Sequence, residues 1–211
     1  RQDQNGNVTG RGSVPWLYKM GRTEVTTGTW VEFFNAVSSV SPPLVINNMN
    51  LLEPVDWGGQ INPTGTGGRF RVNPDIPNAA MLPANGISWH VAAVLCNWLH
   101  NDKGTTASAF TNGAYDTLTF GYPEGGGRFN DQARHNPDAK YWIPTLDEWL
   151  KAAYFDPNKD GVGQGGWWRS PNGTDIPLVY GPPGVGEANA NFNLPDRGVW
   201  RIPLGAYPNT Y

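Results

Sequence analysis

Three stretches of the chain place large apolar residues at intervals of three and four, the spacing of a helix buried along one face. Trp30, Phe33, Phe34 and Val37 stand at i, i+3, i+4 and i+7, which predicts a helix from Thr27 or Gly28 to about Val37. Ser88 can cap a second helix running to about His100, with Trp89, Ala92, Ala93, Leu95, Cys96 and Leu99 as its apolar stripe. The third follows Thr145-Leu-Asp-Glu148, a capping box in which Thr145 and Glu148 satisfy each other's backbone donors, and carries Trp149, Leu150, Ala152, Ala153 and Tyr154. Short apolar runs predict strands at Leu17 to Met20, Tyr115 to Leu118, Lys140 to Ile143 and Val199 to Ile202.

Between these elements the pattern dissolves. Residues 41 to 85 and 156 to 190 are dominated by Pro, Gly, Asn and Thr and read as loop, with no repeat and no change of composition to mark a linker. One domain spanning residues 1–211 is the expectation. The 27 Gly and 19 Pro are far above ordinary usage, yet ten Trp, eight Tyr and eight Phe supply enough apolar surface to offset the ordering entropy of a folded chain. The composition therefore predicts a loop-rich fold rather than disorder.

Charge narrows the function classes. With 15 basic and 18 acidic residues, and the Lys and Arg scattered singly, the chain offers no patch for a phosphate backbone, so a nucleic-acid partner is not expected. The longest strictly apolar run is Val91 to Cys96, far below the roughly 20 residues of a membrane-spanning helix. Cys96 is the single cysteine, so no intrachain disulfide, CxxC pair or thiolate zinc site can form. The chain opens on Arg1, which suggests a processed or excised piece of something longer.

Four segments carry a family resemblance. They are Tyr18-Lys-Met-Gly-Arg-Thr-Glu-Val-Thr-Thr27 with Trp30 and Phe33; Gly86-Ile-Ser-Trp-His-Val-Ala-Ala-Val-Leu-Cys-Asn-Trp98; Trp142-Ile-Pro-Thr-Leu-Asp-Glu-Trp-Leu-Lys-Ala-Ala153; and Ala190-Asn-Phe192 followed by Pro203-Leu-Gly-Ala-Tyr-Pro-Asn209. In this order they resemble the formylglycine-generating enzyme (sulfatase-modifying factor) domain, a variant of the C-type lectin fold. Asn97-Trp-Leu-His-Asn101, Asn112-Gly-Ala-Tyr115 and Lys151-Ala-Ala-Tyr-Phe-Asp-Pro-Asn158 are similar to an exported bacterial branch, often with an exosortase (PEP-CTERM) sorting tail. The resemblance implies an α+β, irregular C-type-lectin-like fold with about three short helices and small antiparallel sheets, and an extracellular, cell-surface or periplasmic address.

The family's catalysis implies a copper-binding cysteine pair near the C-terminal end, which this sequence lacks up to Tyr211. Cys96 matches the family's non-catalytic helix cysteine and is expected to be a buried apolar thiol. A structural Ca²⁺ is implied at Asn191, Phe192, Asp196 and Gly198, although the connection from Asn191 to Asp196 is shorter than in the enzymes, and an Asx-turn is the competing reading. Asp156-Pro-Asn-Lys-Asp-Gly161 begins like an EF-hand but has Trp167 at position 12 and reads as a turn. Gly125-Gly-Gly-Arg128 lacks the ending of a phosphate loop, and Asp147 and Glu148 are explained by the helix start.

His90, His100 and His135 are too dispersed to share a metal. Trp167 and Trp168, with Trp57 and Trp200, are candidates for a surface that binds a protein or glycan ligand, against the plainer role of pinning loops. The expected function is a non-catalytic domain of an exported protein, serving binding or surface assembly. The alternatives are the scaffold of a copper-dependent oxidase whose catalytic part lies outside this chain, and a variable ligand-recognition protein of the lectin-like type. Absence of the family's last strands also predicts an exposed apolar edge through which the domain associates.

Overall fold

The computed structural model describes residues 10–44, 58–84, 86–121, 131–188 and 202–208. The chain divides into two compact units, Val25–Ile143 and a second composed of Arg1–Glu24 with Pro144–Tyr211. Among the described residues the architecture is mixed α+β and loop-rich, with four short α-helices and two antiparallel two-stranded sheets.

In the unit Val25–Ile143, α1 (Thr27–Ser38) starts where the Thr26 hydroxyl accepts from the Thr29 amide at 3.2 Å. α2 (Trp89–His100) starts where the Ser88 hydroxyl accepts from the Val91 amide at 3.3 Å. The apolar periodicity of α1 turns Trp30, Phe33, Phe34 and Val37 inward, as the spacing predicts. α2 is buried over most of its circumference, including His90 and every residue from Ala93 to Trp98. The two helices meet through rings: Phe33 lies 5.6 Å from Trp98 and 6.3 Å from Phe110, and Phe34 lies 5.7 Å from Phe70. These separations are those of attractive tilted aromatic pairs, so the rings contribute more than their buried area.

Phe70 reaches this core from a hairpin, β1 (Gly59–Ile61) paired with β2 (Phe70–Val72) with Gln60 opposite Arg71. The hairpin is tied to α1 by a carboxamide acting as a strand: Asn35 accepts from the Phe70 amide at 2.8 Å and donates to the Phe70 carbonyl at 2.9 Å. A second carboxamide organises the far side. Fully buried Asn97 donates to the carbonyls of Phe110 and Tyr115, at 3.0 and 2.9 Å, and accepts from the Tyr115 amide at 2.7 Å. It thereby fastens α3 (Ala107–Thr111) and the loop after it onto α2.

The second unit is built around α4 (Leu146–Tyr154), which runs directly into β3 (Phe155–Asp156), paired with β4 (Gly166–Trp167). Both halves of the predicted capping box form: the Thr145 hydroxyl accepts from the Glu148 amide at 3.2 Å, and Glu148 Oε2 accepts from the Thr145 amide at 2.8 Å.

Three of the strand expectations fail. Leu17 to Met20 pairs with no described strand, and Lys140 to Ile143 is a single run held by polar contacts. Tyr115 to Leu118 ends in a 3-10 turn, Thr117–Thr119, because Asp116 caps the Leu118 amide at 2.9 Å. Residues 199–201 of the fourth lie outside the described residues. Among the described residues β1, β2 and β4 lie inside the segments expected to be loop and β3 straddles the start of one, and α3 is an addition to the three expected helices, its Thr106 making no side-chain cap.

Candidate functional site

The resemblance implies chemistry centred on sulfur, so Cys96 is the first group to place. It lies on α2, buried within the aromatic and aliphatic cluster, and burial pushes its thiol up to about 12. A thiolate is the nucleophile and the metal ligand, and at neutral pH this thiol holds its proton. The donor set therefore does not fit the copper-binding cysteine pair that the resemblance implies: the chain's one thiol has no cysteine partner and is enclosed in apolar packing.

Each histidine has its own partners. His90 Nε2 lies 2.9 Å from Asp131 Oδ1, and its ring packs 4.9 Å from Phe120. His100 Nδ1 accepts from the Lys140 amide at 3.2 Å. His135 stacks on Trp142 at 4.5 Å and bonds the Asn136 carbonyl at 2.7 Å. Among the described residues no three His, Cys, Asp or Glu side chains gather as a metal ligand set.

In the second unit the polar groups converge on α4. Glu148, expected only as a capping residue, is 1% exposed, and its Oε1 accepts from the Trp16 indole at 3.1 Å. The Tyr18 hydroxyl donates to the Glu148 carbonyl at 2.6 Å, and burial, followed by the Glu148 charge, raises the phenol above its ordinary range. Asp147 Oδ1 accepts from the Gly12 amide at 2.8 Å. The capping box made Glu148 visible in the sequence, but its burial comes from a partner more than a hundred residues away. Trp149, expected on the apolar stripe, turns outward instead.

Trp167 is the last residue of β4, paired with Phe155 of β3, and Trp168 follows it. Trp167 packs edge-on against Phe155 at 5.2 Å and lies over Gly12, where φ is +83° and any Cβ would run into the ring. Trp168 donates from its indole to Asp156 Oδ2 at 3.3 Å, and the Lys159 ammonium sits 4.4 Å above its ring. Lys159 also donates to the Trp167 carbonyl at 2.7 Å and to Asp175 at 3.0 Å, and that hydrogen bond holds the Asp175 carboxyl below its usual range.

The EF-hand-like start is a turn. Asp156 Oδ1 accepts from the Asn158 amide at 2.8 Å and Asn158 Oδ1 from the Gly163 amide at 2.9 Å, so these two oxygens bind backbone within the turn. The calcium candidates Asn191, Phe192, Asp196 and Gly198, the Gly125 to Arg128 run, Trp57 and Trp200 lie outside the described residues. No helix among the described residues is long and apolar enough to cross a membrane.

Capped short helices, paired two-residue and three-residue strands, and loops pinned by carboxamides and indoles make a loop-rich α+β architecture in which the helix cysteine is buried. The chain belongs to the family of the sulfatase-modifying factor enzyme 1-like domain, whose model matches residues 13–169. No curated protein and no solved structure gives a significant match.

Proposed function

We propose that this chain is a non-catalytic member of its family, acting in binding or surface assembly outside the cytoplasm. The observation that supports it is the state of Cys96: the one thiol in the chain is buried in the α2 core and raised to about 12, so cysteine-based oxidation has no group in it to run on. What the fold offers instead is an irregular surface rich in rings, the kind that recognises other molecules by shape and apolar contact. The extracellular address rests on the resemblance to the exported branch, as does calcium at Asn191, Phe192, Asp196 and Gly198.

The chain, loaded with copper(I) and given a cysteine-containing peptide and oxygen, is expected to form no aldehyde above the copper-only background. Aldehyde formation that disappears in Cys96→Ala would overturn the reading. A downstream cysteine pair in the encoding gene would replace it with the oxidase scaffold.

A further inference from the structure

Asn112 follows the last residue of α3, is exposed, and is succeeded by Gly113. The Gly113 amide donates to the Asn112 carboxamide oxygen at 3.0 Å and makes no other hydrogen bond among the described residues. Its nitrogen thus stands beside the carboxamide carbon of the residue before it, the proximity that intramolecular attack requires. Gly113 has a φ of +139°, and a Cβ there would meet the His100 ring at 2.9 Å, so the position excludes any side chain that would screen the nitrogen. The Asn112 carbonyl oxygen, where the charge of a deprotonated Gly113 amide settles, accepts from Asn101 Nδ2 at 2.7 Å, the shortest of that group's three bonds. A donor aimed at developing charge lowers the cost of forming it. Asn112 Nδ2 makes no hydrogen bond among the described residues that would hold it in place.

We infer that Asn112-Gly113 is a self-modification site, where the carboxamide becomes a carboxylate with water as the only co-reactant. The Gly113 nitrogen loses its proton to water and bonds to Asn112 Cγ. The Cγ–Nδ2 bond breaks, ammonia leaves, and a cyclic imide remains. Water then opens the imide at either carbonyl, giving aspartate or, with the backbone rerouted through Cβ, isoaspartate. The isoaspartate lengthens the main chain between two anchored carbonyls, that of Asn112, held by Asn101, and that of Gly113, held by Asn136 Nδ2 at 2.7 Å. The conversion therefore loosens the loop that Asn97 fastens to α2 through Tyr115. Asn172-Gly173 is the control within the same chain. There the Gly173 amide donates to the Ser170 carbonyl at 3.2 Å, and the Asn172 carboxamide is bonded at both ends, by Thr174 at 2.8 Å and to Glu187 at 3.1 Å. Asn5 and Asn85, the other asparagines followed by glycine, lie outside the described residues.

Peptide mapping by mass spectrometry, with isoaspartyl methyltransferase labelling, follows both sites as the chain is held near neutral pH. In the native chain Asn112 should convert at least about tenfold faster than Asn172, the factor that one restraining hydrogen bond is worth. In concentrated urea, where both are plain Asn-Gly pairs, the two rates should converge. Asn101→Ala should slow conversion at Asn112 about tenfold while α2 amides stay protected from exchange. If that variant unfolds, the native and urea rates of the unaltered chain decide alone. In converted chains the Tyr115 amide should exchange about tenfold faster, the loss of one bond's restraint. An Asn112 that stays intact, or that converts no faster than Asn172 in the native chain, overturns the inference. A rate indifferent to Asn101→Ala in a folded variant removes the donor's role, and unchanged exchange at Tyr115 removes the loosening.

Discussion

The two units are held together differently. In Val25–Ile143 the interior is continuous: Phe33 alone touches Trp30, Phe34, Trp98 and Phe110 within ring-contact distance, and among its described buried polar side chains Thr27, Asn97 and Thr117 bond backbone while His90 bonds Asp131. Among the described residues of the second unit few apolar side chains are buried, Val14 and Leu150 among them, and rings there are fixed by heteroatoms: Trp16 by Glu148, Trp168 by Asp156 and Lys159, Tyr207 by the Gly181 carbonyl at 2.8 Å. The first unit draws on non-directional burial, and the second on bonds that specify geometry. A chain short of regular structure thus uses its aromatic excess in two ways, as core in one unit and as polar-tipped pins in the other.

The largest expected effect lies in the continuous core. Phe33→Ala should cost about 3–5 kcal/mol, because the ring has contacts on every side and the helices that flank it cannot both collapse into the space. Trp167→Ala in the second unit removes a larger ring that is only half-buried, and should cost less, about 1–2 kcal/mol. Denaturant titrations followed by hydrogen exchange in peptides from each unit read the two separately. Equal costs would mean that the second unit also depends on a packed core.

The next effect is specific to the first unit and depends on pH. Cys96 ionises at 9.0 in an unfolded chain and at about 12 when buried, so the folded state keeps a proton that the unfolded state gives up. A raised pKa contributes stability that is complete below the unfolded value and is lost as pH rises toward the folded one. Stability should therefore fall between pH 9 and 12, by about 2 kcal/mol at pH 10.5 from this group alone. Cys96→Ala should flatten the alkaline fall at amides of α2 and leave those of α4 unchanged. A slope that persists in the variant would assign it to other groups, the raised tyrosines Tyr18 and Tyr207 first.

Local signals were legible and long-range ones were not. Thr26, Ser88 and Thr145 announce three helices because a cap acts within three residues of itself. The strands escaped because nothing local makes them. Phe70 to Val72 is a strand because Asn35, on a distant helix, bonds both polar groups of Phe70, while Tyr115 to Leu118 turns away once Asn97 and Asp116 have taken its amides. Of the site, the inert cysteine could be read from its place on the apolar stripe of α2. The burial of Glu148 and the outward turn of Trp149 could not, since periodicity alone puts the tryptophan inside. The turn at Asp156 was readable from its missing twelfth ligand.

The smallest effect is the most direct comparison of the two units, because the same hydroxyl is removed from two helix starts. Ser88→Ala deletes one acceptor for the Val91 amide and should cost about 1 kcal/mol. Thr145→Ala deletes the equivalent acceptor for the Glu148 amide, and with it a 3.0 Å donor to the buried carboxylate of Glu148. A carboxylate out of water depends on every donor it has, so this cap should cost about 2 kcal/mol. Thr145→Ser keeps both bonds and should recover most of the loss. If both alanines cost the same in urea titrations, the second unit gains no more from its polar pins than any capped helix does, and burial would then have to account for both units.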